Sequence, residues 1–118
     1  MRKIIKIGQK EYEMQSSAFT SFKYKNETGR TLLKDLTNLG EKFNDANEKE
    51  ILANWDEFED FIYSVLRISY IMCLEAKSYV GSYENFLSET DDYLNDLTWI
   101  SEVLELAISP FSRGIQAN

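Results

Sequence analysis

The apolar stretch in the middle of the chain constrains the fold more than any other feature. Its residues recur at spacings of three and four, the period of an α-helix. Ile68, Tyr70 and Ile71 widen this stripe, so neighbouring elements are expected to cover the helix on more than one side. The pattern predicts a long central helix over residues 51–80, ended by Gly81. Its stripe consists of Phe58, Phe61, Ile62, Val65, Leu66, Ser69, Met72, Cys73, Ala76 and Val80.

The start of the chain is expected to form a β-hairpin over about residues 3–15. Ile5 and Ile7 flank a lysine, Tyr12 and Met14 alternate with glutamates, and Gly8 lies between the two runs. Alternation with a period of two around a glycine-containing turn is typical of a hairpin with one buried face. An isolated hairpin is marginally stable in water, so this one must pack against helices.

Two short helices are predicted next, over residues 17–28 and 31–39. Ser16 or Ser17 can cap the first by accepting a backbone hydrogen bond. Gly29 is suited to its end, because glycine adopts positive φ without strain. The apolar stripe of the second helix comprises Leu32, Leu33, Leu36 and Leu39.

The chain is then polar over residues 40–50, which predicts a loop or a weak helix. A last helix is predicted over residues 90–108, because apolar residues return at helical spacing. Pro110 is expected to stop it, since proline cannot donate to the helical ladder, and residues 110–118 are expected to be a loose tail. The predicted inner stripe of this helix is Leu94, Leu97, Ser101, Leu104 and Ile108.

These elements predict a mainly α fold with a small β part, in which the N-terminal β-hairpin packs on a bundle of about four helices. The 118 residues are 43% hydrophobic, which suffices for one core, so residues 1–118 are expected to form a single domain.

Residue types exclude most catalytic chemistry. The sequence has no histidine and one cysteine, Cys73, and its five glycines are scattered singly. The common general base, structural zinc sites and phosphate-binding loops therefore lack their residues. Acidic clusters around Glu57 and Asp91 are best explained as solvated helix faces, and next as partner contacts. We predict a non-enzymatic protein without catalytic residues, cofactor or metal.

Charge is distributed unevenly. Residues 1–34 carry a net charge of +5 and residues 35–118 a net charge of −12, and no basic residue lies between Lys77 and Arg113. An acidic surface attracts a basic partner and disfavours nucleic acid and anionic membranes. Pairing with the chain's own basic end, or simple solubility, would explain the same pattern. The lone cysteine and the absence of a signal-peptide pattern favour the cytoplasm.

The last predicted helix offers a candidate partner-binding surface. With its inner stripe assigned as above, Tyr93, Trp99 and Val103 fall near the flank, beside acidic residues. Aromatic residues rimmed by acids can form an interaction patch, although the helix can equally bury both flanks. The candidate partner-binding residues are Asp92, Tyr93, Asp96, Trp99, Glu102, Val103 and Glu105.

The N-terminal third also resembles a known family. The segment from Ile5 to Met14 reads Ile-Lys-Ile-Gly-Gln-Lys-Glu-Tyr-Glu-Met, and an aromatic helix with Phe19 and Phe22 follows. That helix ends in Glu27-Thr-Gly29 and leads into a Leu-Leu helix. In this order, over about residues 3–39, the pieces resemble the tail assembly chaperones of long-tailed bacteriophages and prophages.

The resemblance implies a role without a reaction. Such chaperones bind the helical tape-measure protein and keep it assembly-competent until tail-tube subunits polymerise around it. The resemblance thus implies a protein partner in the bacterial host cytoplasm, with tail-tube subunits as a second candidate partner. Whether the chain also forms a homo-oligomer is left open. The alternative, motivated by the acidic run, is an inhibitor or antitoxin-like protein that covers a basic partner.

Overall fold

The computed structural model describes the backbone of residues 1–43 and 48–116, and the side chains of residues 1–37, 49–50 and 52–111. It is mainly helical, with an antiparallel hairpin at the N-terminus, which confirms the predicted fold class. The elements in chain order are β1 (Arg2–Ile7), β2 (Lys10–Gln15), α1 (Ala18–Thr28), α2 (Leu32–Phe43), α3 (Glu48–Ala53), α4 (Trp55–Glu75), α5 (Tyr83–Glu89) and α6 (Thr98–Gln116).

The hairpin forms as predicted. Its register pairs Ile5 with Tyr12 and Ile7 with Lys10, across a turn at Gly8 and Gln9. The alternation places the apolar side chains on one buried face, and β2 packs on α4 while β1 packs on α6. The hairpin residues in the core are Ile5, Ile7, Tyr12 and Met14.

A side chain at Gly8 in the hairpin turn would displace Asp92. Its φ is +64°, and a Cβ built there would lie 1.9 Å from Asp92 Oδ1. Asp92 approaches so closely because its Oδ2 accepts a hydrogen bond of 3.0 Å from the Gln9 backbone N–H. The glycine therefore lets Asp92, which is 83 positions from Gln9 in sequence, fasten the turn to the body.

Gly8→Ala is expected to destabilise the fold by about 2–4 kcal/mol, which combines backbone strain with loss of the Asp92 contact. Gly29→Ala is the matched control, because Gly29 has φ +75° but no heavy atom within 4 Å of its Cβ position. Strain alone should cost about 1 kcal/mol there. Urea unfolding of both variants checks the difference, and equal losses would contradict the role given to Asp92.

The α1–α2 connection also follows the sequence. Ser17, rather than Ser16, caps α1 by accepting from the Phe19 N–H, and Gly29 ends the helix in the left-handed conformation. Past the turn, buried Asp35 accepts a 2.7 Å hydrogen bond from the Tyr24 hydroxyl and pairs with Arg30 at 2.8 Å. Burial and the Asp35 carboxylate raise the pKa of Tyr24. These contacts fix α2 against α1.

The predicted helix over residues 51–80 is wrong at both ends. Its first turns belong to α3, which is separated from α4 at Asn54, and α4 ends at Glu75. The stop is a Schellman motif, in which the Ser78 N–H bonds the Cys73 carbonyl and the Lys77 N–H bonds the Leu74 carbonyl, both at 3.0 Å. The sequence conceals this stop because Lys77, at φ 58°, takes the position that glycine usually fills.

Within these bounds α4 is the core helix that the sequence predicts. Hairpin, α1, α5 and α6 all pack on it, so it is buried on more than one side. Its buried residues are Phe58, Phe61, Ile62, Val65, Leu66, Ile68, Ser69, Tyr70, Ile71, Met72 and Cys73.

The predicted helix over residues 90–108 begins too early. A separate helix, α5, precedes it, with Ser82 as a cap that accepts from the Asn85 N–H. Residues 90–94 form turns, residues 95–97 are irregular, and α6 begins only at Thr98, whose N–H and hydroxyl both bond Asp96 Oδ1. The apolar spacing across residues 94–108 therefore spans a turn and a helix.

Pro110 does not stop α6, and the predicted loose tail is wrong as far as Gln116. The proline cannot donate to the carbonyl of Leu106, four residues earlier. The Ser109 hydroxyl donates to that carbonyl instead, at 2.7 Å. The neighbouring serine thus satisfies the acceptor that the proline leaves open. Residues 117 and 118 lie outside the described residues.

Because the Ser109 hydroxyl replaces the backbone donor that Pro110 lacks, the effects of mutating Ser109 and Pro110 on stability should be coupled. Ser109→Ala should destabilise the protein by about 1–2 kcal/mol, because it leaves the Leu106 carbonyl without a donor. In a Pro110→Ala background the loss should be about 1 kcal/mol smaller, since alanine at this position restores the backbone donor. A double-mutant cycle measured by urea unfolding tests this, and strictly additive losses would contradict it.

Candidate protein-binding surfaces

The predicted inner stripe of the last helix faces largely outward. Leu97 and Ile108 are 36% and 38% exposed, while Trp99 and Val103 are buried at 1% and 0%. Trp99 and Val103 therefore lie in the core of this fold, rather than on an exposed flank of α6 as predicted from the sequence. Periodicity alone could not choose between two apolar faces, and the larger side chains occupy the core. The residues of α6 in the core are Trp99, Val103, Leu106 and Ala107.

Three more of the predicted partner-binding residues make contacts within the chain. Asp92 fastens the hairpin turn, and Asp96 holds the start of α6. The bonds that Asp96 accepts from the Thr98 backbone and hydroxyl lower its pKa. Tyr93 is half-buried, with its ring edge-on to Trp99 and its carbonyl accepting from the Trp99 indole N–H at 3.0 Å. All three have structural roles here.

Glu102 and Glu105 complete the predicted set. Glu102 is half-buried and lines a polar cleft of about 350 Å³ between the hairpin turn and α6, opposite Lys6. Glu105 is exposed on α6. Of the seven predicted residues, it stays the clearest candidate for contact with a partner.

One ion pair within the chain joins its basic N-terminal part to its acidic part. Lys10 in the hairpin forms a 3.2 Å ion pair with Glu89 at the end of α5, and the Tyr79 hydroxyl donates to the same carboxylate. The Tyr79 hydrogen bond, with help from Lys10, lowers the pKa of Glu89. The basic end is thus joined to the acidic body at this point.

Beneath that link lies an aromatic cluster. The Tyr12 ring lies 5.3 Å from Phe86 and 6.4 Å from Tyr79, between centroids, and Tyr70 packs on both of those rings. Burial raises the pKa of Tyr12 to about 12, so its hydroxyl stays protonated. The Tyr12 hydroxyl has no hydrogen-bond partner among the described residues, and the ring packs in this cluster.

An exposed aromatic pair on α1 is the strongest candidate surface. Phe19 and Phe22 are 54% and 64% exposed, and their ring centroids lie 5.8 Å apart. The helix turns Thr20 and Tyr24 to the core, so the phenylalanines point the other way. Two large apolar side chains left together in water are typical of a protein contact site. The sequence placed them on one face but gave no reason to assign that face to solvent.

The surroundings of this pair are apolar and basic. Ala18 and Lys25 are exposed on the same side of α1, and Met1 is 55% exposed near the start of the helix. The acidic residue of α1, Glu27, lies toward α4, where it pairs with Arg67 at 3.3 Å. We call Ala18, Phe19, Phe22 and Lys25 the α1 face.

Other kinds of site find little support in the part of the chain that the structure describes. No three cysteine or acidic side chains lie close enough there to share a metal ion. No described helix is long and apolar enough to cross a membrane. Compared with known proteins, the chain matches no protein-family model, no curated protein and no solved structure.

Proposed function

We propose that this protein is a non-enzymatic tail assembly chaperone of a phage or prophage, which binds the helical tape-measure protein through the α1 face. The observation that carries the proposal is the exposed pair of Phe19 and Phe22. An apolar stripe on a client helix would cover these rings by packing against α1, and would itself be shielded from water and from aggregation.

The N-terminal motif supports the proposal because some of its residues build the fold while others are exposed. Met14 and Leu32 are buried and Gly29 ends α1, so the fold accounts for them. Phe19 and Phe22 belong to the same resemblance but have no role in the core. Side chains that folding does not require are the ones most available for a partner.

Co-expression with the tape-measure protein of the same phage genome tests the function. We expect the client to remain soluble and to co-purify with this chain, and to aggregate when it is expressed alone. Tail-tube subunits, added separately, test the second candidate partner. A client that never co-purifies, and that stays equally soluble without this chain, would refute the proposal.

The alternative, an acidic cover for a basic toxin or enzyme, has weaker support. It needs the acids of residues 78–112 to be available, but Glu89, Asp92 and Asp96 hold the hairpin and α6 in place. Reversing the charge of Asp92 or Asp96 would disturb the fold, so the exposed acids Glu84, Asp91 and Glu105 are the residues that test a purely electrostatic partner.

A further inference from the structure

The side of α6 that faces away from the core carries a second exposed apolar line. Ser101 and Ile108 are exposed and seven residues apart, so they lie along one side of α6, and exposed Leu97, directly before the helix, precedes Ser101 by four residues. Half-buried Leu104 borders this line toward the core, and exposed Glu105 borders it on the other side. We call Leu97, Ser101, Glu105 and Ile108 the α6 outer face.

The segment that carries this face is acidic, and Lys6 of the hairpin is a basic side chain that lines the cleft beside Asp96 and Glu102. Residues 78–112 contain seven acidic residues and no basic one. Among the described residues, Glu89 is the one acid of this segment in an ion pair, with Lys10. Asp92 and Asp96 accept hydrogen bonds from neutral groups, which do not cancel a negative charge. The segment that presents the α6 outer face is therefore strongly negative toward solvent.

We propose that the α6 outer face binds an amphipathic helix of another protein that carries lysine or arginine beside its apolar stripe. Leu97 and Ile108, about three turns apart, supply the apolar contacts, and Glu105 with the surrounding acids favours a cationic flank. The same charge disfavours nucleic acid and the equivalent face of a second copy. This face shares no residue with the α1 face, so the inference does not depend on the proposed function.

A pair of designed peptides provides the test. Each is an amphipathic helix about four turns long with leucines along one side; one carries lysines on its flanks and the other glutamates. Fluorescence anisotropy with the full chain should give at least about tenfold tighter binding of the lysine peptide at low salt. Added salt should weaken that binding, because exposed charges are screened.

Variants of the chain distinguish binding at the α6 outer face from general attraction of the lysine peptide to an acidic protein. Leu97→Asn with Ile108→Asn should weaken binding of the lysine peptide at least about tenfold without changing the charge. Val80→Asn is the matched control, because Val80 is an apolar side chain 97% exposed outside the face, and it should bind normally. Phe19→Ser with Phe22→Ser should also bind normally, whatever its effect on the client of the α1 face.

The inference is overturned if neither peptide binds, if both bind equally, or if the Leu97 and Ile108 variant binds like the unmodified chain. Circular dichroism of that variant checks that it is folded. If it is not, Ile108→Asn alone takes its place, and it should still lose several-fold in affinity.

Discussion

Replacing Trp99 with alanine is expected to destabilise the protein by about 3–5 kcal/mol, the usual cost of deleting a large buried aromatic side chain. Trp99 is 1% exposed at the junction of α6 with the core, and its indole N–H donates to the Tyr93 carbonyl. The truncation would leave a cavity and remove that hydrogen bond. The loss is a large fraction of the roughly 5–15 kcal/mol typical of a domain, so urea or thermal unfolding should detect it readily.

Leu97→Ala is the control for this prediction, because Leu97 lies two residues before Trp99 in sequence and is 36% exposed. It should cost about 1 kcal/mol or less, since little area leaves the core. If the two variants lost equal stability, α6 would be rotated relative to the structure, and Trp99 would again be a candidate for partner contact.

The second large effect concerns binding rather than stability. Phe19→Ser combined with Phe22→Ser should leave the free energy of unfolding within about 1 kcal/mol, because both rings are more than half exposed. The affinity for the tape-measure client should fall by about 2 kcal/mol or more, roughly thirtyfold, if the rings anchor that contact. Val80→Ser removes another exposed apolar side chain and should change neither quantity.

The sequence predicts the fold well where local signals agree with packing. The alternation of Ile5, Ile7, Tyr12 and Met14 predicts the hairpin, because only one register buries all four side chains. Gly29 marks the end of α1, because glycine adopts the left-handed conformation without strain. These signals act over a few residues. The buried stripe of α4 is equally clear, since a helix covered on several sides has few alternatives.

The sequence-based predictions fail where a tertiary contact or an unusual residue determines the end of a helix. Lys77 takes a left-handed conformation at a helix end, and the Ser109 hydroxyl replaces the backbone donor that Pro110 lacks. Neither event has a pattern that periodicity can detect. The start of α6 depends on Asp96 as a cap, which the apolar spacing from Leu94 onward conceals.

The candidate site could be predicted only in part, for a related reason. The last helical segment has apolar residues on two sides, so spacing alone cannot show whether Trp99 or Leu97 faces the core; the volume of the tryptophan and its bond to Tyr93 decide. For α1 the difficulty is reversed. Its buried side includes the polar residue Thr20, so the exposure of Phe19 and Phe22 contradicts the usual expectation that phenylalanine is inside.

The most direct test of the account is the affinity of the tape-measure client for the unmodified chain and for the Phe19→Ser, Phe22→Ser variant, measured by titration calorimetry alongside their melting temperatures. We predict matched melting temperatures and an affinity about thirtyfold weaker for the variant. Equal affinities for two folded proteins would contradict the claim that this protein holds a helical client on its α1 face.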